Sequence, residues 1–154
     1  MEDLEKILAE HSFLAGLKPE HVKILAGCAS NVAFKAGEFI FREGEEADKF
    51  FLIRHGRVNV ENYIPQKGPI IIRTRTVDEV FGWSWMVAPY RWHFDARAAE
   101  LTRAIAIDGK CLRQKCEEDH DLGFEIMKRF AHIIAERLEA TRLQLMDIYG
   151  NANK

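Results

Sequence analysis

The sequence predicts a mainly β fold, a sandwich or a jelly roll (double-stranded β-helix) with helical flanks, on three observations. Between Asn31 and Ile107, short β-branched or aromatic runs recur at roughly regular spacing with glycines between them. Ahead of them, apolar residues fall three and four apart, the period of amphipathic helices. Behind them, Glu117 to Ile148 is rich in good helix formers, lacks proline and has Gly123 as its only interior glycine, which predicts a long closing helix.

The elements follow in chain order. Over about residues 1–30, Leu4, Ile7 and Leu8, then Phe13, Leu14 and Leu17, then Val22, Ile24 and Leu25 mark short N-terminal helices. They are interrupted by a turn from Gly16 to Pro19, with Pro19 placed for the first turn of the next helix. Residues 31–108 form the roll, with runs at Val32–Phe34, Phe39–Phe41, Phe50–Ile53, Val58–Val60, Ile70–Ile72 and Ala104–Ile107. Gly37, Gly44, Gly56 and Gly68 punctuate them, and Pro65 and Pro69 mark a further loop.

C-terminal helices cover 109–149. There Met127, Ala131, Ile134, Leu138, Thr141, Leu145 and Ile148 step by fours and threes, a heptad stripe able to pair with a copy of itself. Packing back on the roll is the other use of such a stripe, and a second row, Phe130, Ile133 and the Leu143 region, leaves room for both. Met127, Ile134, Leu138 and Leu145 are therefore the candidate homodimer contacts. A chain of 154 residues supports one core, so 1–154 reads as a single domain, and Met1 and the polar ending read as natural termini.

Composition narrows function. With 47% hydrophobic and 30% charged residues the chain is too apolar for disorder, and a net charge of −2 gives no overall field for a nucleic-acid backbone or an anionic membrane. Neither a signal peptide nor a membrane span is visible, so a cytoplasmic protein is expected. Three cysteines, Cys28, Cys111 and Cys116, read as free thiols. Cys116 and His120 stand four apart near Cys111, but no fourth ligand for a tetrahedral metal is at hand, and the six histidines are scattered. No metal, cofactor or enzyme is indicated.

The stretch from Ala36 to Val58, AGEFIFREGEEADKFFLIRHGRV, places Gly37, Gly44 and Gly56 at turns where a positive φ is tolerated, and Phe50 to Ile53 in a strand covered on both faces. It resembles the opening hairpins of the cyclic-nucleotide-binding domain family, which includes catabolite activator proteins, protein kinase A regulatory subunits and nucleotide-gated channels. The resemblance spans roughly residues 10 to 149. It implies an eight-stranded roll with N-terminal helices, a long C-terminal helix and a helix-bearing phosphate-binding cassette, here 81–97.

In that cassette the resemblance implies backbone N–H groups and an arginine for a cyclic phosphate, and a glutamate after the Phe-Gly pair for the ribose hydroxyl. Gly82 would supply close approach and Ser84 a helix cap. Trp83 stands at the glutamate position, where its indole N–H can donate but not accept. The arginine position falls near Trp92, between Arg91 and His93, and Arg97 is a second potential anion contact whose direction depends on register. Gly82, Trp83, Ser84, Trp85, Arg91, Trp92, His93 and Arg97 are the candidate ligand residues.

Two readings result. One is a small-molecule-sensing regulatory domain whose pocket takes a cyclic nucleotide in an unusual way, or another small anionic ligand. The other is a degenerate, ligand-free dimerisation or adaptor module in which Trp83, Trp85, Tyr90, Trp92 and Phe94 fill the pocket. Activator-family regulators carry a helix-turn-helix module after the long helix. The few residues after Gly150 provide none, so DNA binding by that route is not expected of this chain. No protein effector can be named.

Overall fold

The computed structural model describes residues 3–152; Met1, Glu2, Asn153 and Lys154, and with them the reading of the ends as natural termini, lie outside the described residues. Helix α1 (Leu4–Glu10) starts at Asp3, whose carboxylate accepts from the backbone N–H of Glu5 and Lys6 and so satisfies two orphan donors. A 3-10 turn (Ser12–Leu14) leads to α2 (Pro19–Ala26), and Pro19 occupies the first turn, where its missing N–H costs nothing.

The strands are β1 (Ala29–Phe34), β2 (Phe39–Phe41), β3 (Lys49–His55), β4 (Val58–Ile64), β5 (Gly68–Arg75), β6 (Val80–Phe81), β7 (Asp95–Ala98) and β8 (Thr102–Asp108). They form two four-stranded antiparallel sheets, ordered β1-β8-β3-β6 and β2-β7-β4-β5. Then come α3 (Gly109–Glu118) and α4 (His120–Ala152).

Strand β3 explains how one chain builds two cores. Phe50 to Ile53 are all buried, and alternate side chains point opposite ways. Phe50 and Leu52 join Leu8, Leu25, Trp85 and Phe130 in a core between the first sheet and the helices. Phe51 and Ile53 join Phe41, Val58, Val60, Trp92 and Phe94 in a second core between the sheets, the interior of the roll.

The turns are those the glycines predict, with φ of 85°, 89° and 98° at Gly37, Gly44 and Gly56. At Gly56 a side chain is also excluded by space: a Cβ there would lie 2.5 Å from the Leu101 carbonyl oxygen.

Asp108 caps α3 by accepting from the Cys111 N–H at 2.9 Å, and Asp119 accepts from the Leu122 N–H at 3.2 Å at the start of α4. That second bond, foremost, holds the Asp119 carboxyl below the usual carboxylate range. Leu122, Ile126 and Phe130 of α4 are buried against the helix-side core, with Ile133 packed on it. The row containing Phe130 and Ile133 is thus the one that packs back on the roll. Of the heptad stripe, Ile134 is half-buried, whereas Met127, Leu138, Leu145 and Ile148 are exposed.

One expectation is overturned. Cys28 and Cys111, read as free thiols, form a disulfide with Cα atoms 5.8 Å apart. The register is the reason: Ala29 pairs with Ile107, so the residue before β1 meets the first turn after β8. Cys116 stays free, and burial pushes its thiol up to about 11. Among the described residues no helix is long and apolar enough to cross a membrane, and no group of three His, Cys, Asp or Glu side chains could hold a metal.

Candidate ligand-binding site

Strand β6 pairs with β3 (Phe51 with Phe81, Leu52 with Val80), and the chain then turns at Gly82 with φ 94°. A Cβ on Gly82 would lie 3.0 Å from the Trp92 ring, so what the bare glycine admits in this structure is an indole. A 3-10 turn (Ser84–Met86) follows, and Trp83, not Ser84, holds its N-cap position without a side-chain bond. Ser84 does not serve as the expected cap: it lies inside the turn, buried, its hydroxyl without a protein partner.

The segment returns through a bridge between Glu46 and Arg91. It is clamped to the Gly44 loop by the Trp92 N–H to the Glu45 carbonyl (3.0 Å) and the Gly44 N–H to the Trp92 carbonyl (2.9 Å).

The three tryptophans separate. Trp92 is 3% exposed inside the roll, stacked on Phe41 at 3.7 Å between centroids and 7° between planes. Phe94 lies in the same interior cluster. Trp85 is fully buried in the other core, stacked on Phe50 at 5.3 Å, with its carbonyl accepting from Arg113. Trp83 packs half-buried against that helix-side core, its ring 6.3 Å from the exposed His93 ring. Tyr90 is half-buried beneath the Arg113 guanidinium, 4.3 Å from its ring. Of the five aromatics expected to fill the pocket, Trp92 and Phe94 are in the interior.

The two candidate arginines also miss it. Arg97 pairs with Asn59, between Val58 and Val60, and so faces outward. There it donates to Glu61 at 3.1 Å and lies over Phe39 at 4.3 Å. Arg91 is exposed, and its Nη1 donates to the Gly44 carbonyl at 3.4 Å.

Residues 31–119 match the cyclic nucleotide-binding domain. The chain belongs to the cyclic nucleotide-binding domain family. It is 28% identical to a candidate cyclic nucleotide-binding protein of Geobacter metallireducens of known structure, with a TM-score of 0.79 over 90% of this chain and 99% of that one. The regulatory domain of Toxoplasma gondii protein kinase A, solved with cAMP, shares the fold at 16% identity and a TM-score of 0.72, over 86% of this chain and 49% of that one. A CRP-like cAMP-activated global transcriptional regulator of Mycobacterium tuberculosis is 23% identical over 145 residues, 94% of this chain. The chain spans 63% of that regulator's length.

In this cyclic nucleotide-binding domain three arginines outside the cassette are directed at the roll's interior. Arg73 and Arg75 of β5 pair with Val60 and Val58, which face inward, and the Arg137 guanidinium of α4 lies 5.7 Å above the Phe94 ring. The sequence carried one signal for them, the alternation Arg73-Thr74-Arg75 in a strand. It gave no means of choosing the face.

Proposed function

We propose that this domain is a regulatory, small-molecule-sensing module of the cyclic-nucleotide-binding type that does not hold cAMP or cGMP in the family's usual way. Trp92 carries the reading. It stands near the position of the cassette arginine, and its ring, stacked on Phe41 inside the roll, takes up space and offers no charge to a phosphate. Trp83 offers an N–H donor where the ribose hydroxyl needs an acceptor. Gly82 is committed to the Trp92 ring.

In this reading α4 is the output. Its root is packed on the core and its stripe of Met127, Ile134, Leu138 and Leu145 is available to a second copy, so a ligand that favours one packing of the root biases the pairing beyond it. The aromatic filling also favours a second reading, a ligand-free dimerisation or adaptor module.

Thermal melts with cAMP, cGMP and a panel of anionic metabolites separate these. A nucleotide at 100 times its Kd stabilises by about 2.7 kcal/mol, roughly 5–11 °C for a chain of this size. The sensing reading expects no such rise with cAMP or cGMP and a saturable rise with a member of the panel. A rise of that size with either nucleotide overturns it, and silence across the panel leaves the adaptor. Size-exclusion mass tests the pairing: Leu138→Lys should convert a dimer to a monomer, and a monomeric parent refutes it.

A further inference from the structure

Three arginines converge where β5 meets α4. Ile64, Tyr63, Asn62 and Glu61 pair in step with Gly68, Pro69, Ile70 and Ile71, but Val60 then pairs with Arg73, not with Ile72. Opposed residues of an antiparallel pair share a face, and a one-residue slip exchanges the faces. The bulge therefore turns Arg73 and Arg75 to the inner face of Val58 and Val60 and leaves Ile72 exposed.

The Arg75 side chain is 8% exposed; it donates to Glu79 at 2.9 Å, and its Nε meets no acceptor. Arg137 reaches the same mouth from α4, over Phe94. Burial first, then the charges of Arg75 and Arg73, push its guanidinium down to about 10. Arg73 is lowered in the same way, by burial and then by Arg75.

Among the described residues neither the Arg73 nor the Arg137 guanidinium has a hydrogen-bond or ion-pair partner. The carboxylates in range are Glu79, taken by Arg75, and Glu136, which lies 3.1 Å from His132. Half-buried like charges without an anion between them are costly. Of the three, Arg75 lines an adjoining 610 Å³ cleft, whose other charged walls are the cations Lys128 and Arg129 and the carboxylates Asp78, Glu79 and Glu136, and which has the size of a small-molecule site.

We propose that Arg73, Arg75 and Arg137 form an anion site at the mouth of the roll, which holds the multiply charged oxyanion end of a small organic ligand whose body lies in this cleft. The inference rests on the sensing reading above and names its ligand class. Two of the arginines belong to the roll and one to α4. An anion between them pulls the helix root onto the roll, and without it their mutual repulsion works against that docking.

The test is titration of the full chain with pyrophosphate and with citrate at constant ionic strength, read by calorimetry and thermal melts, in the parent, Arg73→Gln, Arg137→Gln and the distant surface control Arg57→Gln. A saturable response in the parent and the control, weakened about tenfold or more in both test variants, is expected. Preference between the probes separates a phosphate ligand from a carboxylate one. No saturable response in the parent to either probe, or a response that survives in both Arg73→Gln and Arg137→Gln, overturns the site. Native melts of the variants without ligand exclude misfolding as the cause. If the anion binds as expected but leaves the size-exclusion mass unchanged at every concentration, the site stands and sensing through α4 falls.

Discussion

Truncating Trp92 to alanine tests whether that ring is structural filling of the roll. The side chain is 3% exposed, lies flat on Phe41 and touches the one residue, Gly82, whose lack of a Cβ admits it. Removing a buried tryptophan costs about 3–5 kcal/mol through lost transfer energy and the hole left behind. The ring also borders a 440 Å³ cavity lined by β1 and β2 residues such as Val32, Phe34 and Ile40, so the new space joins an existing one. Water can hydrate it from that side, which places the expected loss near 3 kcal/mol, a fall of roughly 6–12 °C in Tm.

Urea melts followed by fluorescence of the two remaining tryptophans measure the loss. Indole supplied at about five times its Kd should restore ~1 kcal/mol to Trp92→Ala and nothing to the parent. A loss below about 1 kcal/mol with no indole rescue would refute the argument, because such a ring could not be filling the interior.

Gly37 and Gly56 have similar φ but different surroundings: nothing lies within 4 Å of a Cβ at Gly37, whereas at Gly56 it meets the Leu101 carbonyl at 2.5 Å and Thr102 Oγ1 at 2.6 Å. Gly37→Ala should cost only the left-handed penalty of about 1–2 kcal/mol, and Gly56→Ala distinctly more in the same denaturant melts. Thiol titration should find one reactive group per unfolded chain without reductant and three with it; in the native chain at pH 8, Cys116 should react slowly because burial keeps it protonated. His11 is lowered from 6.5 by burial, its Nδ1 accepting from the Phe13 N–H. The unfolded chain therefore takes up the proton first, and stability should fall as pH drops below about 6.5, a slope that His11→Gln flattens in melts between pH 7 and 5.

What was legible in the sequence was what local chemistry decides. Glycines that need a positive φ marked the hairpins, Pro19 marked a helix start, and the unbroken apolar run Phe50–Ile53 marked the strand shared by two cores. What escaped depends on register. Cys28 and Cys111 are 83 residues apart, and only the β1–β8 pairing makes them neighbours. Arg97 faces out and Arg73 faces in because β7 pairs with β4 in step while β5 slips by one residue. Trp85 and Trp92 are equally apolar in sequence, yet they fall on opposite sides of the first sheet. Periodicity found both rows on α4, and burial separates the packed row from the exposed one.

The disulfide between the end of α2 and the first turn of α3 makes a covalent ring of the intervening chain, and all eight strands lie within that ring. Closing a loop of this length restricts the unfolded chain by about 4–5 kcal/mol in the chain-entropy account. It also gives tension a route around the roll. A pull applied between the N-terminal helices and α4 runs through the bridged sulfurs and α3 without loading a single strand pair. A protease that nicks any one hairpin opens the ring but leaves both fragments on one molecule until a thiol reductant is added. The β-roll is mechanically a side loop on a short covalent spine, and reduction is the event that places it in line with the helices it connects.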